Sequence, residues 1–206
     1  MRAAHHFLAC GFVAATLSAL TFPGCGGGGG GGVSLSASFT ESVSTLPPGF
    51  VKLRQKSASG GRVVIQAVIG GPETTLDMFA FAFDVKIGDG SVAKFVAKSG
   101  VAGNALVATA GQTIQALVDT ASGDPTDIVV GVSKLGGPPG NGIAGSSATV
   151  VEMAFDLLQA GTTTLTITAP ATCVDSQSPP QPIAEVTFDI LASGSLNAVS
   201  TGGGGY

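Results

Sequence analysis

The segment from Met78 to Ile87 alternates strictly. Phe79, Phe81, Phe83, Val85 and Ile87 hold one parity, and Ala80, Ala82, Asp84 and Lys86 hold the other. Successive side chains of an extended strand point to opposite faces, so a period of two predicts a half-buried β-strand. Fully burying each phenylalanine is worth about 2–3 kcal/mol, which makes that parity a core face. The opposite parity is left outward as a small, flat surface. Ala80, Ala82, Asp84 and Lys86 are therefore the candidate binding residues of this strand.

The same grammar recurs along the chain. Val33 to Phe39 alternates without a break, and Arg62 to Ile69 is rich in β-branched residues before the turn cluster Gly70-Gly71-Pro72. Further strands are expected at Ser91–Lys98, Gln112–Val118, Asp127–Ser133, Ala148–Leu158, Thr163–Ala169, Ile183–Leu191 and Ser195–Val199. Residues 40–61 read mainly as loop, with a short strand at Phe50–Leu53. Gly103 to Ala110 is the one stretch that reads as a helical turn. About nine short strands, separated by Gly/Pro turns and lacking a helical period, predict an all-β sandwich. A domain over residues 33–199 is long enough to bury roughly 70% of its unfolded surface.

The N-terminus carries a different signal. Arg2 precedes an apolar run from Phe7 to Phe22, followed by Pro23-Gly24-Cys25. A basic start, an apolar stretch shorter than the roughly 20 residues of a membrane span, and a small residue at the break are the marks of a secretory leader over residues 1–24. Phe22-Pro23-Gly24-Cys25 resembles a bacterial lipobox, in which the cysteine is diacylated and becomes the new N-terminus. Gly24 fits that pattern, whereas Phe22 and Pro23 depart from the usual leucine and alanine or serine. The resemblance implies lipidation at Cys25 and an exported protein held by that lipid alone, at the outer membrane or cell surface or facing the periplasm. Residues 25–32 then form a glycine tether spanning about 15 Å, and residues 200–206 a glycine-rich tail.

Composition removes most catalytic chemistry. Both histidines, His5 and His6, fall within the leader. Without them the chain lacks the imidazole base of Ser-His-Asp and Cys-His machinery and the commonest zinc ligand. Cys10 lies in the leader and Cys25 is the lipidation candidate. Cys173 is thus left without a disulfide partner and reads as a small loop or edge residue. Nine Lys and Arg against thirteen Asp and Glu, with no basic run, leave nucleic acid without its electrostatic footprint. Glycosidase chemistry needs a carboxylate pair, and Asp84, Asp89, Asp124, Asp127, Glu152 and Asp156 are available. Acids at strand ends and turns are usually solvated, and no pair is marked by an unusual setting, so no catalytic residue and no cofactor are assigned. Asp124 and Asp127, around Pro125, are candidates for Ca²⁺ with loop carbonyls. Solvated turn acids are the simpler reading, and no metal is expected.

Two stretches carry a family resemblance. Met78–Val96 contains Phe81-Ala82-Phe83-Asp84-Val85-Lys86-Ile87-Gly88-Asp89-Gly90 and resembles the cohesin strand pair F-x-L-x-Y-D-P-x-V-L, with Gly90 in place of the usual proline. Gly142–Ile167, G-I-A-G-S-S-A-T-V-V-E-M-A-F-D-L-L-Q-A-G-T-T-T-L-T-I, is similar to the late cohesin segment. There a Gly-rich loop leads to a long strand and then A-G-T-T-x-L. Asp189 to Val199 resembles the closing strand, so the likeness covers roughly Arg62 to Val199. It implies a cohesin-like jelly-roll sandwich, a fold shared with certain cellulose-binding modules.

Cohesins hold dockerin-bearing partners on one sheet face, and the binding modules hold polysaccharide. The resemblance therefore implies a non-enzymatic envelope module that holds a protein partner, dockerin-type or other; the alternative partner is polysaccharide. Flat carbohydrate sites stack sugars on Trp or Tyr. This chain has no Trp, and its one Tyr is Tyr206. Protein docking is the favoured expectation.

Overall fold

The computed structural model describes residues 34–190 and 193–201. The candidate leader, Cys25, the glycine tether and the glycine tail lie outside those residues. The described chain is all β. In order the strands are β1 (Ser34–Glu41), β2 (Phe50–Ser59), β3 (Arg62–Gly70), β4 (Glu73–Met78), β5 (Ala80–Ile87), β6 (Ala93–Phe95) and β7 (Val101–Ala102). They are followed by β8 (Thr113–Ala121), β9 (Asp124–Leu135), β10 (Asn141–Ile143), β11 (Ser147–Leu157), β12 (Gly161–Val174), β13 (Thr187–Phe188) and β14 (Gly194–Thr201).

Two sheets enclose one core. The larger runs β1-β14-β12-β5-β9-β8, the second runs β13-β2-β3-β11-β6 with β7 also on β11, and β4 pairs with β10 in a small ladder. Inward residues follow the alternation. Phe81, Phe83, Val85 and Ile87 of β5 are buried beside Ile128, Val130 and Val132 of β9 and Leu165 and Ile167 of β12. From the second sheet come Val51, Leu53, Ile65, Met153 and Phe155, all fully buried. Phe95 and Phe155 meet edge-on with ring centroids 6.0 Å apart, a geometry favoured by the ring quadrupoles. Phe83 and Phe188 pack at 5.7 Å.

The structure adds three short elements that the alternation test does not show, β4, β7 and β10, and the expected strand at Ser91–Lys98 shrinks to β6. Five expectations are corrected. Residues 40–61 are not mainly loop, since β2 runs to Ser59 and slips register by a bulge between Gln55 and Ser57. Phe79 is only half-buried at the break between β4 and β5, and Met78 takes the core position instead. The helical turn at 103–110 is absent; residues 103–109 are bends and coil. In place of one long strand over 183–191, the described part of that region forms only β13, paired in parallel with β2. Likewise β12 continues past Pro170. Its ladder with β5 lapses between Thr168 and Thr172, which accommodates a residue with no N–H to donate.

Polar ties close the sandwich where strands end. Lys52, almost fully buried, donates to Glu41 Oε2 at 2.5 Å and to the Val43 carbonyl at 2.6 Å, fastening β2 to the end of β1. Asp77, at the end of β4, accepts the Gly140 N–H at 2.7 Å and the Ser176 hydroxyl at 2.7 Å. It also accepts the Ser176 N–H at 3.1 Å, so one carboxylate joins three chain segments. Burial pushes this carboxyl upward, but the Ser176 and Gly140 hydrogen bonds and the nearby Lys134 charge outweigh it and hold it below the usual carboxylate range.

A depressed folded value means that Asp77 stabilises the fold above its unfolded pKa of about 3.9 and loses that contribution as acid protonates it in the folded state. Asp77→Ala is expected to cost about 1.5–3 kcal/mol at pH 7. Urea titrations of both proteins should show the gap narrowing as the pH is lowered below 4.

Candidate docking face

The residues singled out on β5 lie at the centre of the larger sheet, between β12 and β9, and point away from the core. The ladder registers place them in rows running across the strands. Val174, Ala80, Ser133 and Gln115 form one row; Thr172, Ala82, Gly131 and Leu117 form the next. Thr168, Asp84, Val129 and Asp119 follow, and then Thr166, Lys86 and Asp127. Both neighbours of β5 are long strands, so this surface is continuous over four strands.

Its middle is apolar and low. Ala82 is exposed beside Gly131, whose missing side chain leaves a depression of ≈ 310 Å³ lined by Phe81, Gln115, Leu117, Gly131, Val132 and Ser133. Leu117 is 64% exposed and Val129 40%, which makes them two large hydrophobics standing on neighbouring strands of one face. Isolated exposed apolar residues need no explanation, but adjacent ones on a flat sheet mark a contact surface. The alternation test found the β5 residues and missed these two. In Asp127-Ile128-Val129-Val130-Gly131-Val132 both parities are apolar, so period two does not say which faces water. In β8 the expected strand ended at Val118, although the β8 ladder with β9 runs on through Thr120.

One end of the face is acidic. Lys86 is engaged by Asp124 through Oδ2, while Asp124 Oδ1 accepts the Thr126 N–H at 2.9 Å and hydroxyl at 2.6 Å. The Lys86 hydrogen bond and then Thr126 lower the Asp124 carboxyl to about 2. Lys86 and Thr126 thus engage both oxygens of Asp124 locally. Among the described residues no group of three acidic or thiol side chains is placed to hold a metal. Asp127 keeps an oxygen that is shielded from solvent and has no partner among the described residues. Asp84 is raised above the usual range, first by burial and then by the negative charge of Asp127.

The other acidic candidates are engaged in local ties. Glu152 is bound by Lys56 at 2.6 Å and Asp156 by Arg62 at 2.6 Å, all on the outer face of the second sheet. Asp89 caps its own turn by accepting from Ser91. Cys173 is not a loop or edge residue. It lies inside β12 in register with Phe81, 1% exposed, and burial pushes its thiol up to about 12, so it is unreactive near neutrality. The Gly136–Gly142 loop is held by the Gln112 amide, which donates to the Pro139 carbonyl at 3.0 Å, and by Asp77.

No family model matches the sequence, and no curated protein matches it. Solved structures do share the architecture. The second type II cohesin module from the adaptor ScaA scaffoldin of Acetivibrio cellulolyticus aligns with a TM-score of 0.50 at 14% identity, over 71% of this chain and 87% of that one. A chain of a type II cohesin–X–dockerin complex from the same organism aligns at 0.48 and 14%, over 69% and 94%. Type II cohesin A11 from Bacteroides cellulosolvens aligns at 0.47 and 11%, over 71% and 97%. The first of these gives the fold: the domain is a cohesin-like β-sandwich.

Asp84 supplies a test of the electrostatics. Its raised folded value means that the carboxylate costs stability once ionised, and that this cost disappears below the unfolded pKa near 3.9. Asp84→Asn should therefore unfold at higher urea than the parent at pH 7. The difference should shrink to zero or reverse on titration to about pH 3, where both carboxyls are protonated.

Proposed function

We propose that this cohesin-like sandwich is a non-catalytic docking module that holds a protein partner at the bacterial cell envelope, with the outer face of β12, β5, β9 and β8 as its contact surface. The observation that carries the reading is the adjacency of exposed Leu117 and Val129 to the floor of Ala82 and Gly131. A flat surface with an apolar centre and polar margins is the general anatomy of a protein interface. The dockerin-type partner follows from the cohesin resemblance of Phe81–Gly90 and Gly142–Ile167, and from the fold shared with a type II cohesin module. Asp84 and Asp127, with Lys86 already paired to Asp124, favour a partner that places a cation beside an apolar contact. Lipidation of Cys25 and the glycine tether supply the attachment to the envelope.

Polysaccharide is less well supported. The neighbouring surface of the same sheet is lined by hydroxyls, Thr162, Thr164 and Thr166 on β12 and Ser195 on β14, and it carries no aromatic ring for a sugar to stack on.

Titration calorimetry against a panel of type I and type II dockerin modules tests the reading. At least one dockerin should bind with a Kd of about 1 μM or tighter, an affinity worth about 8 kcal/mol. Val129→Glu should weaken that binding at least tenfold, since it places a charge at the apolar centre. Failure of every dockerin to bind removes the dockerin version. Retention on insoluble cellulose or chitin in its place would support the polysaccharide alternative.

A further inference from the structure

The four rims of the two sheets are not finished alike. At the β1 rim of the larger sheet, Ala37 donates to the Gly60 carbonyl at 3.2 Å and Phe39 donates to Gln55 Oε1 at 2.6 Å, so the second sheet satisfies that edge. The second sheet ends in very short strands, β13 on one side and β6 and β7 on the other. At the remaining rim is β8, which has nine residues and pairs only with β9 among the described strands. Gly100 packs beneath it against Val118, and no backbone hydrogen bond joins the two.

Long edge strands are normally blunted by lysine, proline, bulges or shortness, because a row of unpaired N–H and C=O groups is a template for another strand. Thr113-Ile114-Gln115-Ala116-Leu117-Val118-Asp119-Thr120-Ala121 contains no lysine and no proline, and its register with β9 is unbroken from Thr113 to Thr120. Its single charge is Asp119.

We propose that β8 is a self-association edge, at which a second copy of this chain adds its own β8 antiparallel and the two larger sheets become one. The side-chain pattern selects the register. With Leu117 on the two-fold axis, Leu117 meets Leu117 of the second copy, and Gln115 meets Asp119 of the second copy. By symmetry Asp119 meets Gln115, so an amide donor faces each carboxylate. Gln115, Leu117 and Asp119 are all exposed on the same face of the strand, as this pairing requires. The core-side positions pair Ile114 with Thr120 and Ala116 with Val118, again without charge. The occupant is therefore a second copy: the strand is complementary in charge and shape to its own reverse. A contact this narrow belongs to the weak class below about 1,200 Å². It shares Gln115, Leu117 and Asp119 with the proposed docking face, whereas Val129 and the β5 residues take no part in it, so Val129→Glu should weaken docking and leave self-association unchanged.

Sedimentation equilibrium of the purified full chain tests it. The parent is expected to show a monomer–dimer equilibrium with a Kd between about 1 μM and 1 mM. Gln115→Glu sets a carboxylate opposite Asp119 twice per dimer and should weaken association by about fivefold or more. Adding Asp119→Lys to that variant should restore it, because each new lysine faces a new glutamate. On mild oxidation Leu117→Cys should give a disulfide-linked dimer, since directly opposed strand residues lie within bridging distance; Thr113→Cys should not. A parent that sediments as a monomer up to about 1 mM overturns the proposal. So does an unaffected Gln115→Glu, a double variant that fails to recover, or a crosslink at position 113 in place of 117.

Discussion

The structure hangs on β5 as a strand hydrogen-bonded along both edges while its two faces are held to opposite tasks. β12 and β9 fix its register from either side. Phe81, Phe83, Val85 and Ile87 are then committed to the core, each no more than 2% exposed. A slip of one residue would turn those four outward and bring Asp84 and Lys86 into the core. The penalty for that exchange fixes Ala82, Asp84 and Lys86 on the surface as firmly as it fixes the phenylalanines inside. The candidate docking face is the reverse side of the best-determined part of the core.

This coupling explains which parts of the fold were legible in the sequence. Strands whose two parities differ in bulk and polarity, such as β1 and β5, can be read directly because burial imposes the period. The polar half of β2, Arg54-Gln55-Lys56-Ser57-Ala58-Ser59, carries no such pattern. It is a strand because β3 beside it supplies the ladder, through a bulge that shifts its parity midway. The continuation of β12 beyond Pro170 is hidden for the same reason: proline argues for a stop, and the neighbouring β5 carries the ladder past it. Phe79 had the right parity and the wrong place, because the chain leaves one ladder at Met78 and enters another at Ala80. Long-range pairing settled all of these cases, and local sequence does not record it.

The candidate site divides in the same way. Ala80, Ala82, Asp84 and Lys86 were legible as an outward set because their partners in parity are bulky and apolar. Leu117 and Val129 were not, since a strand that is apolar on both faces gives no sign of which side meets water. What makes them a surface is their registry with Gly131 and Asp84, a relation between three strands. The acidic candidates show the converse. Asp124 and Asp127 are close in sequence, yet Asp124 is drawn to Lys86 on β5 while Asp127 weighs on Asp84.

Charge is otherwise settled in pairs: Arg62 with Asp156 joins neighbouring strands, Lys56 reaches Glu152 across β3, and Lys52 with Glu41 ties the two sheets together. On the candidate docking face the settlement is incomplete: burial and the Asp127 charge raise the Asp84 carboxyl, and Asp127 holds a shielded oxygen without a donor among the described residues. A stable fold has no use for either feature, and local rules tend to be broken where a protein works. On the proposed docking reading, a partner cation arriving beside Leu117 and Val129 would relieve both at once and return on binding the stability lost in the free domain. The same reasoning accounts for the exposed leucine and valine, which add nothing to the folded monomer and lose their contact with water only when the face is covered.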